Sequence, residues 1–132
     1  MRVQAVILSD GKERYMLVDD TGQLVRPVLR YLKYKDHVGA ARNTLRTYCY
    51  HLKLYYEFLA AAKTEFNAIT IDDMASFVRW LHNPQKVIPL RSPMQLKRSV
   101  RSINQIITVV LGYYDYLFRH TEYEGQINQQ LH

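Results

Sequence analysis

The chain has 132 residues and a mass of 15.6 kDa, with 48% hydrophobic and 23% charged residues, one cysteine and a net charge of +6. That length builds one domain with a proper core and is too short to promise two, while the composition excludes a disordered chain and a disulfide scaffold. No apolar run approaches the roughly 18 residues of a membrane span, and the N-terminus MRVQAVILSDGKERY lacks the apolar core and small-residue cleavage site of a signal peptide. A cytoplasmic protein with no membrane partner is the expectation.

Taken in chain order, RVQAVIL (2–8) and RYMLV (14–18) are β-leaning runs separated by SDGKE, whose Asp10 and Gly11 supply turn chemistry. They predict a hairpin, closed off by a second turn at DDTG, Asp19 to Gly22. Pro27 suits the first turn of a helix, Val25, Val28, Leu29 and Leu32 space helically as far as Asp36, and Gly39 is a stop. The run NTLRTYCYHLKLYYEFL then reads as a helix from Asn43 or Thr44, either of which could serve as N-cap, to about Ala62. Leu45, Tyr48, Cys49, Leu52, Tyr55, Tyr56 and Leu59 share its broad apolar arc, with Leu54 and Phe58 on a second apolar side, so the helix is expected to sit between others.

Thr70, with an acidic Asp73 three positions on, signals the start of a short helix whose apolar face is Met74, Phe77, Val78 and Leu81, ending before Pro84. Residues 83–95 contain three prolines and no periodicity and predict a loop or connector. A last long helix runs from Leu96 or Ser99 to His120, with Ile103, Ile106, Ile107, Val110, Tyr113, Tyr114 and Leu117 on one arc. The segment 121–132 is polar and reads as a tail or the start of a linker.

The positive charge is not evenly spread. Between Arg26 and Lys63 there are eight lysines and arginines against two acids, a net +6, and between Lys86 and Arg119 six against one, a net +5. The long helices in these segments each carry a polar stripe. Arg46, Tyr50 and Lys53 fall together on one, and Lys97, Arg101, Asn104, Gln105 and Thr108 on the other. Arginine and lysine neutralise phosphates, asparagine, glutamine and arginine can pair with base edges, and helix N-termini attract phosphate. The stripes therefore suit a nucleic acid, although a basic face meeting an acidic protein has the same signature.

Catalysis finds little support in the residues. His37, His51, His82, His120 and His132 are scattered, with no metal-ligand spacing, and the glycines never cluster into a phosphate loop, so no metal and no cofactor are expected. Asp72 and Asp73 diverge by about 100° on a helix and form no dyad. Cys49, on an apolar arc, reads as a packing residue. Tyr48, Tyr55, Tyr56, Tyr113 and Tyr114 read as core rings with hydroxyls at the rim, whereas Tyr50 stands among basic neighbours.

Three segments in order, NTLRTYCYHLKLYYEFLAAA, AITIDDMASFVRWL and RSVRSINQIITVVLGYYDYLFRH, resemble the N-terminal core-binding domain of tyrosine recombinases of the phage integrase type. The likeness rests on Thr44, Tyr48 and Leu52 in the first, Ile69, Thr70, Asp72 and Met74 in the second, and Ser102, Ile103, Asn104, Tyr113, Tyr114, Tyr116 and Leu117 in the third. It covers residues 24–120 and extends to integrases and transposase A-like recombinases of Gram-positive mobile elements, which can carry a similar leading hairpin.

The resemblance implies a mainly α fold, a SAM-like four-helix bundle over residues 23–120 preceded by the hairpin of residues 1–22. It also implies a half-clamp on double-stranded DNA at a crossover site. By position, Arg42, Thr44, Arg46, Tyr50 and Lys53, then Arg91, Lys97, Arg101, Asn104, Gln105 and Thr108, would contact the duplex, with Arg42 and Arg91 as phosphate clamps. The implied partners are the C-terminal catalytic domain of the full-length protein and other recombinase protomers on the DNA. The family's catalytic arginines, lysine, HxxR element and tyrosine belong to that separate domain, and no histidine here is followed by arginine at the third position. The expectation is a fragment or truncated relative that binds DNA without cutting it. The competing expectation is a helical protein-interaction module with a basic face, and a small tyrosine- or histidine-dependent enzyme comes third.

Overall fold

A computed structural model describes residues 1–82 and 98–120. Its element order is β1 (Arg2–Ile7), β2 (Glu13–Val18), α1 (Arg26–His37), α2 (Arg42–Ala61), a 3-10 turn (Phe66–Ala68), α3 (Ile71–His82) and α4 (Val100–His120). The fold is mainly α, with four α-helices among the described residues after an N-terminal hairpin. The expected connector 83–95, Arg91, Lys97 and the tail 121–132 lie outside the described residues. Two compact units divide the chain, Met1–Leu54 and Tyr55–His132, so α2 contributes its first thirteen residues to one and its last seven to the other.

In the first unit the hairpin pairs antiparallel from Arg2↔Val18 to Ile7↔Glu13. Its turn closes because Gly11 adopts φ +83°, a conformation that penalises side chains with a Cβ, and because the Asp10 carboxylate accepts the Lys12 amide at 2.9 Å. The DDTG turn is built similarly. Asp19 accepts the Thr21 hydroxyl at 2.6 Å and the amides of Thr21 and Gln23, and these bonds, the hydroxyl first, hold its carboxyl below the usual range. The Val25 amide then donates to the Leu17 carbonyl at 2.9 Å and leads the chain into α1.

Pro27 occupies the first turn of α1, where its missing amide costs nothing. Val28, Tyr31 and Leu32 are the buried face. Gly39, at φ +96°, ends the helix in a Schellman arrangement: its amide donates to Asp36 at 3.1 Å and the Ala40 amide to Lys35 at 3.0 Å. An Arg14 to Asp36 ion pair at 3.1 Å ties β2 to this end, and Tyr31 stacks on Tyr48 with ring centroids 6.3 Å apart.

The next helix begins earlier than the sequence suggested. Its first residue is Arg42, and the Ala41 carbonyl accepts the Leu45 amide at 3.0 Å. Neither Asn43 nor Thr44 is the N-cap, because both already lie inside the first turn. Leu45, Cys49 and Leu52 are buried as the helical period requires.

In the second unit, α2 ends in another Schellman arrangement with Lys63 at φ 56° where glycine is usual; its amide donates to Ala60 at 3.2 Å and the Thr64 amide to Leu59 at 2.9 Å. The expected capping box opens α3: the Asp73 amide donates to the Thr70 hydroxyl at 3.2 Å, and Asp73 accepts the Thr70 amide at 3.0 Å. Ser99 caps α4 by accepting the Ser102 amide at 3.1 Å. Phe58, Phe77 and Trp80 form a ring cluster with centroids 5.2 to 6.1 Å apart, extended by an edge contact from Tyr55 to Phe77 at 4.9 Å.

The hydroxyls of Tyr55, Tyr113 and Tyr114 are not at the rim, since these residues are buried whole. Tyr55 and Tyr114 hydroxyls are 2.5 Å apart, Tyr114 donates to the Phe66 carbonyl at 2.6 Å, and Tyr56 and Tyr113 hydroxyls are 2.6 Å apart. The rings sit where the period puts them, but each buried hydroxyl needs a partner, and these tyrosines supply one another.

Candidate nucleic-acid interface

On α2, Arg42, Arg46, Tyr50 and Lys53 fall within about 80° of one another around the helix and span roughly 16 Å along it. Arg42, Arg46 and Tyr50 are exposed, and Lys53 is half-buried. The Arg46 guanidinium lies 5.6 Å from the centre of the Tyr50 ring, a cation–π contact one turn apart. Thr44 is about 160° from Arg46 and half-buried, so the helix leaves it off the stripe.

Asn43 belongs to that face. With the helix starting at Arg42, its exposed side chain falls about 60° from Arg46. Sequence reasoning spent Asn43 on a cap; the continuous wheel from Arg42 to Lys53 was the signal that could have placed it.

The hairpin supports the first turn of this stripe. Glu13 of β2 lies 3.9 Å from the Arg42 guanidinium and accepts the Tyr15 hydroxyl at 2.9 Å. The Glu13 bond raises the Tyr15 pKa, with burial adding to it, while the positive charges of Arg46 and Arg42 pull it the other way. One carboxylate thus stands at the edge of an otherwise basic face.

On α4, Arg101, Asn104, Gln105 and Thr108 are all exposed and fall within about 100° of one another, beginning in the first turn. The Thr108 hydroxyl donates to the Asn104 carbonyl at 2.8 Å, so its proton is used inside the helix and only its lone pairs face outward. Arg98, just before this helix, was not singled out from the sequence. Its guanidinium lies 5.9 Å from the Trp80 ring, and burial pushes its pKa down.

Little else among the described residues resembles a chemical site. Burial pushes the Cys49 thiol up to about 12, so it is a thiol at neutral pH and a poor nucleophile. Among the described residues no group of three or more histidine, cysteine, aspartate or glutamate side chains could hold a metal, and no helix is long and apolar enough to cross a membrane.

Comparison with known proteins identifies the family of the chain. The model of the phage integrase N-terminal SAM-like domain matches residues 28–121. The chain is 39% identical over 113 residues to transposase A from transposon Tn554 of Staphylococcus aureus, including the proteins of strains Mu50 and N315; the match covers 84% of this chain and 31% of each relative. The chain thus spans about a third of the length of the curated relatives it matches. No solved structure matches it at a significant level. A mainly helical chain with this match over most of its length belongs to the phage integrase N-terminal SAM-like domain family.

Proposed function

We propose that this chain is the DNA-binding, core-binding domain of a site-specific tyrosine recombinase, holding duplex DNA at a crossover site through the α2 and α4 stripes. The observation that carries this reading is the α2 stripe. Two guanidiniums, a lysine, an aromatic ring and an amide are gathered on one helical face, in a chain of the integrase family. Charge of that density on one helix matches the phosphate array of a duplex, and the mixture of fork-shaped and amide donors matches base edges.

Cutting is assigned elsewhere. Residues 1–132 contain no histidine followed by arginine at the third position. The strand-exchange chemistry would come from a catalytic domain acting together with this one, and recombination would bring several protomers onto one DNA.

Binding of the chain to a short labelled duplex across a salt series tests the reading. Lys53→Ala and Arg101→Ala should each weaken binding and flatten the log–log salt slope by about one unit. Competition by unlabelled duplex, but not by polyglutamate, separates DNA from an acidic protein partner. Unchanged affinity in both variants, or displacement by polyglutamate alone, would overturn the assignment.

A further inference from the structure

We infer that Arg46, whose guanidinium lies over the Tyr50 ring, is the base-reading residue of α2 and takes a guanine edge in the major groove; this rests on the DNA-binding reading above. The cations of the stripe are held in different ways. Arg42 sits at its start beside the Glu13 carboxylate, 3.9 Å away, and Lys53 at its end carries a compact ammonium that neutralises phosphate without regard to orientation. Arg46 lies between them, exposed, with its guanidinium 5.6 Å from the Tyr50 ring centre.

A ring contact of this kind does two things for a guanidinium. It limits the side chain's rotamers, lowering the entropy lost when a partner binds, and, being made to a π system rather than to an acceptor oxygen, it need not use up the N–H donors of the fork. A phosphate can use the free fork as well, but its oxygens accept from many directions and do not need the fork held in one orientation. The O6 and N7 acceptors of guanine, which lie side by side in the major groove, need both.

Position along the helix agrees. The end cations are separated by roughly 16 Å along the axis, more than the groove's width of about 12 Å, so they suit the phosphate walls while the centre of the stripe stands over the base edges. Tyr50, 46% exposed, holds Arg46 from one turn further along and acts as its positioning residue.

The test is selection of duplexes from a randomised library by the 132-residue chain, followed by affinity measurements on the selected duplex and on versions with one base pair exchanged. The wild type should select a guanine at one position, with roughly tenfold or greater preference over the exchanged pair. Arg46→Lys, which keeps the charge but loses the planar fork, should bring that ratio close to one, and Tyr50→Leu should lower it. A ratio that survives Arg46→Lys, or an Arg46→Ala variant that loses affinity equally for every sequence with a flatter salt slope, would make Arg46 a phosphate contact and overturn the inference. Selection of no preferred base would do the same. Failure of the wild type to bind any duplex would instead remove the DNA-binding reading beneath it.

Discussion

Tyr55 and Tyr114 meet hydroxyl to hydroxyl at 2.5 Å in the core of the second unit, and the Tyr114 hydroxyl donates a hydrogen bond to the Phe66 carbonyl at 2.6 Å. The relay makes the two tyrosines unequal. Tyr114→Phe removes both an acceptor for Tyr55 and a donor for Phe66, and should cost about 1 to 3 kcal/mol, while Tyr55→Phe removes one bond and should cost about 0.5 to 1.5 kcal/mol. Urea midpoints of the two variants check the order. Equal midpoints would mean that the relay adds nothing beyond ring packing.

Lys63 stands in the left-handed region at φ 56°, where a side chain crowds the following carbonyl, and the same turn after α1 uses Gly39. Lys63→Gly should therefore raise the melting temperature, by a stabilisation of roughly 1 kcal/mol less the extra entropy glycine gives the unfolded chain. A lower melting temperature would show that the lysine's own contacts outweigh its backbone strain.

His51 is half-buried, its Nδ1 is buried without a hydrogen-bond partner among the described residues, and burial pushes its pKa below the ordinary value of 6.5. The unfolded chain takes up the proton first as pH falls, so this group's stabilisation is complete above about pH 6.5 and declines as pH drops toward the folded pKa. Denaturant midpoints at pH 7.5 and 5.5 should fall further for the wild type than for His51→Gln. Parallel changes in both proteins would place the pH dependence elsewhere.

Glu13 puts a carboxylate 3.9 Å from Arg42 at the start of the α2 stripe. Glu13→Gln removes a charge that repels phosphate and competes for Arg42, and should tighten duplex binding by roughly two- to fivefold at low salt, the scale of an exposed ion pair. Weaker binding would mean that Glu13 holds Arg42 in its binding position and that this outweighs the repulsion.

The parts of this fold that were legible in the sequence are those with local causes. Pro27 and Gly39 bracket α1, Thr70 and Asp73 form the capping box, and Gly11 closes the hairpin, because in each case the residue type acts on its own backbone neighbours. The α2 start was misread for the same reason: Asn43 is a good cap by type, but the turn at Gly39 delivers the chain so that Ala41 accepts the Leu45 amide first. Trp80 and Val109 lie just outside arcs drawn on Phe77 and Ile106, and tertiary neighbours decided their burial. Periodicity gave the direction of the tyrosine rings and could not give the pairing of Tyr55 with Tyr114, which are 59 residues apart. In the candidate site the wheel brought Arg46, Tyr50 and Lys53 together, whereas the Glu13 carboxylate beside Arg42 comes from a different element and leaves no mark on the helical period.

Whether the α2 and α4 stripes hold duplex DNA is decided by a nitrogen–proton NMR titration of the chain with a short duplex at low and moderate salt. Duplex bound to these stripes should give salt-sensitive shifts concentrated on Arg42 to Lys53 and on Arg101 to Thr108, with the buried residues of both helices little changed. Absent shifts, or shifts scattered over the surface without regard to these two faces, would contradict it.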